Sequence, residues 1–346
     1  MAHLLNPLSS FTAGTVCSYA GEVLNIGGEQ FESSAPQRLE QVIHGGSGTL
    51  DKDVFYTGGE WESVSEESNQ TKDEHAILSK NLDTIISLLR DQVVSIVIEL
   101  GPGTFTKTEV LLQALHQKDR HILYIAVDIN KHSLQKHIPA LNQRFPMITC
   151  VGCWGAFDQA LARFKPSSNA NVSIWSFGSS LSNAPKEEVV RNFQSCSHVG
   201  VSLLLGQDGM NNESEIEAAY HTRTFEKFIN NGLQKANETI GQSIFSDKRW
   251  VNHFTISKNP TRHTFIIKAT EDIGDIKKNC QIDIFTSFKY TERNIHAIAS
   301  DAGCTVKMVF AAPHTGSRFM KLLGASSPAA EMMARAEAPR QSSNRD

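Results

Sequence analysis

No run in the 346-residue chain is apolar over the ~18 residues that a membrane helix needs. The opening residues, Met1-Ala2-His3-Leu4-Leu5-Asn6-Pro7, have no basic segment followed by an apolar one, so no secretory leader is expected. Both absences point to a cytoplasmic protein that does not engage a membrane. An excess of positive charge is missing too. The formal net charge is −4, which removes the broad basic field that nucleic acid binding uses. Cysteine is sparse for the length: six residues cannot form the dense framework of a small secreted domain. Cys150-x-x-Cys153 is the only close pair. With no second pair and no nearby histidine, it reads as two small residues at a buried strand end, so no metal is expected. There is no internal repeat. What remains is a chain with 40% apolar and 20% charged residues, the make-up of a soluble globular protein. Its length suits one large α/β domain with insertions, or two domains sharing a cleft.

The strongest signal is Val93-Val94-Ser95-Ile96-Val97-Ile98-Glu99-Leu100-Gly101-Pro102-Gly103-Thr104. A β-branched apolar run that ends in an acid and two closely spaced glycines predicts a buried parallel strand feeding a tight turn at a nucleotide-type site. A second apolar strand, Ile122 to Val127, ends at Asp128. Strand, glycine turn, helix, strand and terminal carboxylate describe one adenosine-binding half of a doubly wound sheet. Further strands are predicted at Met147 to Val151, Val172 to Phe177 and Val199 to Leu205, with helices at 108–117, 131–144, 159–164 and 186–194 between them. This alternation predicts a mainly parallel sheet with right-handed crossovers.

Outside that core the pattern changes. Residues 1–45 are weakly patterned, and Gly45-Gly46-Ser47-Gly48 reads as a flexible break. Tyr56 and Trp61 flank Gly58-Gly59, and the polar run Glu62 to Glu74 is expected to be a loop or lid. Residues 74–90 carry apolar residues at helical spacing. Glu213 to Phe245 reads as one long helical stretch. Strands are expected at 250–256, 264–269, 282–290, 304–310 and 317–323, with a helix at 292–302 and a disordered tail from about Ala325.

The glycine turn discriminates between cofactors. The third glycine of the dinucleotide pattern is absent, since Thr104, Phe105 and Thr106 follow Gly103. A carboxylate at Glu99 would repel a pyrophosphate and attract the ammonium of a methionine tail, so S-adenosyl-L-methionine is the expected cofactor. Asp128 is placed to accept the ribose hydroxyls.

At this point the sequence resembles the histidine-specific methyltransferase family. Its members include the ergothioneine-pathway histidine Nα-methyltransferases and the fungal dimethylallyltryptophan N-methyltransferases. Six elements carry the resemblance, in order: Glu99 to Thr108 with Lys107, Tyr124 to Ile129, Gly155 to Leu161, Phe177 to Asn183, Ala218-Ala219-Tyr220, and Lys289-Tyr290-Thr291. The resemblance implies a Rossmann-type class I methyltransferase with an added substrate-binding domain. The expected division is 1–85 for an N-terminal helical or lid part of the substrate domain, 86–210 for the cofactor-binding core, 211–275 for a substrate-domain insertion, 276–324 for the C-terminal part of the core sheet, and 325–346 for the tail. It also implies a monomer acting on a small-molecule amine.

Cofactor contacts are expected from Tyr56, Glu99, Gly101, Gly103, Lys107, Asp128, Ala156 and Phe157. Asn183 and Tyr220 match the family residues that hold the acceptor's amino and carboxylate groups. The family's Tyr-Tyr-Pro-Thr-Arg-x-Glu segment corresponds to Ser68-Asn69-Gln70-Thr71-Lys72-Asp73-Glu74, so Ser68 and Asn69 stand where the tyrosines would be. The family's imidazole-recognising Glu and Ser correspond to Thr264 and Ile266. A carboxylate is thus replaced by a hydroxyl, and a hydroxyl by an aliphatic group, which disfavours free histidine. The expected acceptor is an aromatic or apolar amino-acid-derived amine, such as a tryptophan derivative or another specialised metabolite. No catalytic base is assigned, although His221 and His263 lie nearest the acceptor positions in sequence. Transfer to oxygen or carbon, or ligand binding without catalysis, are the alternatives.

Overall fold

The computed structural model describes residues 11–45, 48–50, 53–56, 59–91, 94–166, 170–200, 202–246, 248–312 and 318–325. The expected tail beyond residue 325, Gly46-Ser47 and Val93 lie outside that set. In chain order the strands are β1 (Phe11–Thr12), β2 (Val23–Asn25), β3 (Val94–Leu100), β4 (Ile122–Asp128), β5 (Ile148–Trp154), β6 (Phe164–Lys165), β7 (Asn171–Ser176), β8 (Ser202–Asp208), β9 (Trp250–Ser257), β10 (Thr261–Ala269), β11 (Gln281–Lys289), β12 (Cys304–Ala311) and β13 (Arg318–Ala325).

Eight of them form one sheet in the order β12-β13-β8-β7-β3-β4-β5-β2. The pairs from β8 through to β2 are parallel, and β13 closes antiparallel on β8. β3, β4, β5, β7 and β8 are buried almost throughout, which is why their sequences read as continuous apolar runs. The chain runs outward from β3 through β4 to β5, then returns to β7 on the other side of β3. The order therefore reverses between β3 and β7, and a crevice opens beyond their C-terminal ends. The pleat sorts β3 into two faces: Ile96, Ile98 and Leu100 join one core cluster, and Val97 joins the other. Glu99 shares the face of Val97, beneath the helix Thr106–Gln117.

A second, three-stranded antiparallel sheet runs β11-β10-β9. Its inner face packs with the helices Ala35–Gly45, Asp53–Tyr56 and Arg223–Ile240 around Leu39, Phe55, Phe225, Phe228, Ile267, Ile282 and Phe285. This grouping departs from the expected boundaries. β11 belongs to the small sheet, because it pairs antiparallel with its sequence neighbour β10. Only β12 and β13 rejoin the large one. β2 extends the large sheet beside β5, so the N-terminal part is shared between both bodies. The run Glu62 to Glu74 is not a loop. It contains the end of one helix, Glu60–Glu67, and the start of another, Asn69–Asp91, which meet at Ser68. Glu60 and Glu62 favour the first helix by placing negative charge in its first turn. The stretch Glu213 to Phe245 is likewise two helices, Glu213–Tyr220 and Arg223–Ile240. Thr222 divides them by capping the second through Phe225 N–H.

No helix among the described residues is long and apolar enough to cross a membrane. Cys150 and Cys153 sit buried in β5, where burial pushes both thiols up to about 12.

Candidate functional site

The crevice at the β3/β7 reversal, closed on its far side by the small sheet and the helices before β3, is a cleft of about 440 Å³. Its cofactor-facing wall begins at the glycine turn. Gly101 (φ +73°) and Gly103 (φ +62°) adopt left-handed backbone that side chains disfavour. A Cβ on Gly101 would press on Ser180 and Phe157 at 3.1–3.2 Å, so the bare backbone keeps the wall open. Ser133 Oγ donates to Gly103 O at 2.7 Å and pins the turn to the helix that follows β4.

Asp128 ends β4 in the cleft wall. Its carboxylate accepts from Asn130 N–H at 2.9 Å. Burial is the main influence on its pKa, which lies near 6 because hydrogen bonds from the Asn130, Gly103 and Ile129 amides partly offset the burial. Asn130 Nδ2 donates to Tyr56 O at 2.6 Å, which ties the helix Asp53–Tyr56 to the end of β4. Tyr56 meets Trp61 edge to face at 4.9 Å, and both line the cleft. Burial, and then the neighbouring Tyr220 and Asp128, hold the Tyr56 hydroxyl above the usual tyrosine range. Ala156 and Phe157, at the start of the helix after β5, complete this wall.

Two charged residues of the glycine segment go different ways. Lys107 lines the cleft and is the only lysine or arginine among the described residues that do so. Glu99 is fully buried and does not reach the cleft wall. Its Oε2 accepts from Thr108 Oγ1 and Tyr124 OH, both at 2.7 Å, while Oε1 has no hydrogen-bond partner among the described residues. Burial raises its pKa to about 7, against the lowering effect of those two hydrogen bonds. Pleat parity explains the placement: the face that carries Val97 carries Glu99 into the helix-covered core.

The opposite end of the cleft is built from both sheets. Ser68 and Asn69 line it at the junction of the two helices, and Gln70 beside them donates to Ser179 Oγ at 2.9 Å. Asn183 ties the turn after β7 to β11: it donates to Thr286 O at 3.2 Å and accepts from Phe288 N at 2.8 Å. The Tyr220 hydroxyl lies 2.6 Å from Ser287 Oγ and accepts from Lys289 Nζ at 2.7 Å. Lys289 also pairs with Asp208 at 2.6 Å. Burial alone would lower the lysine's pKa, but the Asp208 carboxylate and the Tyr220 hydroxyl outweigh it and hold it above the ordinary value. Phe225 and Phe285, 5.4 Å apart and edge to face, form the apolar part of this end.

Thr264 and Ile266 are not part of it. Both are buried on the opposite face of β10 from the cleft. Thr264 pairs with Thr286, so the cleft residues of β11, Phe285 and Ser287, stand one residue out of phase with it. The wall at this end of the cleft is thus supplied by β11, where the sequence offers an alternating Phe285-x-Ser287-x-Lys289. His221 and His263 do not line the cleft either, although His263 shares the sheet face of Ser287 and lies beneath Tyr220. His263 is fully buried, its two ring nitrogens have no hydrogen-bond partner among the described residues, and it stacks on Tyr220 at 4.8 Å. Burial first, then His221 and Lys289, push its pKa down to about 4. Asp208, Phe225, Phe285 and Ser287 contribute without a local motif, whereas Lys289 belongs to the Lys289-Tyr290-Thr291 element. Asp208 ends β8, Phe285, Ser287 and Lys289 alternate along β11, and Phe225 comes from the helix Arg223–Ile240.

The parallel sheet reversing at β3/β7, the glycine turn and the acid that ends β4 define a Rossmann-type, class I S-adenosylmethionine-dependent methyltransferase. More narrowly, the chain belongs to the histidine-specific, S-adenosylmethionine-dependent methyltransferase family, whose model matches residues 48–323. It is similar to ergothioneine biosynthesis protein 1 of Neurospora crassa, at 28% identity over 69% of this chain and 28% of that protein. N-methyltransferase dtpB of Aspergillus flavus is 29% identical over 68% of this chain and 72% of that protein. The 4-dimethylallyltryptophan N-methyltransferase easF of Aspergillus fumigatus is 22% identical over 88% of this chain and 97% of that protein. The chain spans about a quarter of the length of the two ergothioneine biosynthesis proteins it matches.

Proposed function

We propose that this chain N-methylates the amino group of an aromatic or apolar amino-acid-derived small molecule, rather than free histidine, with S-adenosylmethionine as donor. The carrying observation is the mixed acceptor end: Phe225 and Phe285 beside the hydrogen-bonding set Asn183, Tyr220 and Ser287. Flat rings suit the aromatic walls, and a few placed polar groups orient the amino-acid part. The similarity to a 4-dimethylallyltryptophan N-methyltransferase along nearly that protein's whole length supports an indole-bearing acceptor.

The cofactor fits the residues present. Asp128 is the acceptor for the ribose hydroxyls, Gly101 and Gly103 leave the backbone open, and Ala156 with Phe157 borders the adenine. When bound, S-adenosylmethionine supplies an electrophilic methyl on sulfur. The protein's part is to hold the amine lone pair in line with that methyl and to exclude water, which is mainly a matter of orientation. Tyr56 and Trp61 close over this junction, and their ring faces suit a sulfonium cation. No histidine is assigned as a base: solvent can take the proton that the acceptor's ammonium must lose to bind as the neutral amine, and the methylated ammonium can later release its own proton to solvent.

The test is incubation with methyl-labelled S-adenosylmethionine and a panel of indole, phenyl and imidazole amino acids and their amines, with products read by mass spectrometry. Label on the amino nitrogen of an aromatic member is the expected result. Label on oxygen or carbon, or cofactor binding with no product from any member, would overturn the proposal.

A further inference from the structure

Glu74 does not itself line the cleft, yet it holds three residues that do: Gln70, Lys107 and Gly178. It is fully buried in the helix Asn69–Asp91. Its carboxylate makes four contacts with three groups from three parts of the chain. Lys107 Nζ pairs with Oε2 at 2.8 Å. Gly178 N–H reaches both oxygens, at 2.9 and 3.0 Å. Gln70 Nε2 donates to Oε1 at 3.2 Å. Space is reserved for it: a Cβ on Gly206 of β8 would collide with Glu74 Oε1. A buried carboxylate is tolerated only when paired and hydrogen-bonded, and this one is.

Lys107 is the cation of the cleft wall, next to the glycine turn. An ammonium has three donors, and one of them is spent on Glu74. That contact fixes the direction in which the others point. With Glu99 held in the core, Lys107 is the charged group available to the carboxylate of the methionine tail. We infer that Glu74 is a positioning residue for cofactor binding. It acts through Lys107, aiming the ammonium at the methionine carboxylate while its grip on Gly178 N–H holds the turn after β7 against the same point. Gln70 extends the arrangement to the acceptor end, because the amide that meets Glu74 also meets Ser179. The inference rests on S-adenosylmethionine being the cofactor.

Calorimetric titration of the full chain with two ligands separates this role from a scaffolding one. S-adenosylhomocysteine carries the methionine carboxylate; 5′-methylthioadenosine keeps adenosine and thioether but lacks the amino-acid tail. Glu74→Gln retains an acceptor for Gly178 but removes the charge. It should weaken S-adenosylhomocysteine about fivefold and change methylthioadenosine less than twofold. Lys107→Met should show the same selectivity at about tenfold. Glu74→Gln should add nothing further when Lys107→Met is already present. Equal weakening of both ligands by Glu74→Gln, or a full additional loss in the double variant, would overturn the inference. If Glu74→Gln does not fold, an equal loss of both ligands in Lys107→Met alone would do so. Wild-type protein that binds neither ligand would instead overturn the cofactor assignment beneath it.

Discussion

The two ends of one cleft are built on different principles. The cofactor end has a local centre: a strand, a turn of two glycines and the acid at the end of the next strand lie within 94–130, and Tyr56, Trp61, Ala156 and Phe157 are added around them. The end proposed for the acceptor is assembled from far-apart pieces: Asn183, Asp208, Tyr220 and Lys289 are tied by side-chain hydrogen bonds to or through β11, and Asn69 and Phe285 line the cleft beside them. Backbone-built recognition tolerates little change, because it depends on φ angles and strand ends. Side chains on one strand face can be exchanged without disturbing the pairing beneath them. A chain can therefore keep its methyl donor while its acceptor changes.

That contrast can be broken at either end. The largest effect is expected at the ribose acid. Asp128→Ala should weaken S-adenosylhomocysteine at least 100-fold by calorimetry, because a buried acceptor and its pre-set amides are lost together. Unchanged affinity would mean that the ribose lies elsewhere. Next, Tyr220→Phe should lower kcat/KM for the acceptor about tenfold while leaving S-adenosylhomocysteine affinity within twofold, since the hydroxyl serves only the far end. A matching loss of cofactor affinity would show that the ends are not separate.

The smallest effect concerns Glu99, the cofactor-segment acid that went into the core. Its folded pKa of about 7 exceeds the ordinary 4.5, so the folded chain holds this proton more tightly than the unfolded one. Its contribution to stability is complete below about pH 4.5 and is lost as pH rises through 7. Glu99→Gln cannot ionise. It should leave the melting temperature near wild type at pH 5 and raise it at pH 8, by the equivalent of about 1–3 kcal/mol. Parallel melting curves across that range would show that Glu99 is charged in the folded protein.

The same contrast governs what the sequence makes legible. β3, the glycine turn and Asp128 form a contiguous pattern, and the structure places Gly101, Gly103, Lys107, Asp128, Ala156 and Phe157 around one cleft. Glu99 misled because an acid at a strand end reads the same whether the pleat turns it toward the cleft or the helix. Parity against Val97 decides it, and parity needs the strand's register. Thr264 and Ile266 failed for a related reason: two neighbouring strands carry similar apolar alternation, and only the pairing of Thr264 with Thr286 shows that β11 faces the cleft. Glu74 stands at the Glu of the family's Tyr-Tyr-Pro-Thr-Arg-x-Glu segment, but its contacts are not legible, since Lys107 and Gly178 lie 33 and 104 residues away.

Direct competition between acceptors tests the central claim most closely. With equal L-histidine and L-tryptophan in one reaction with labelled S-adenosylmethionine, mass spectrometry should find N-methylated tryptophan in at least tenfold excess over any methylated histidine. Methylated histidine as the main product would contradict an aromatic acceptor end built on Phe225 and Phe285.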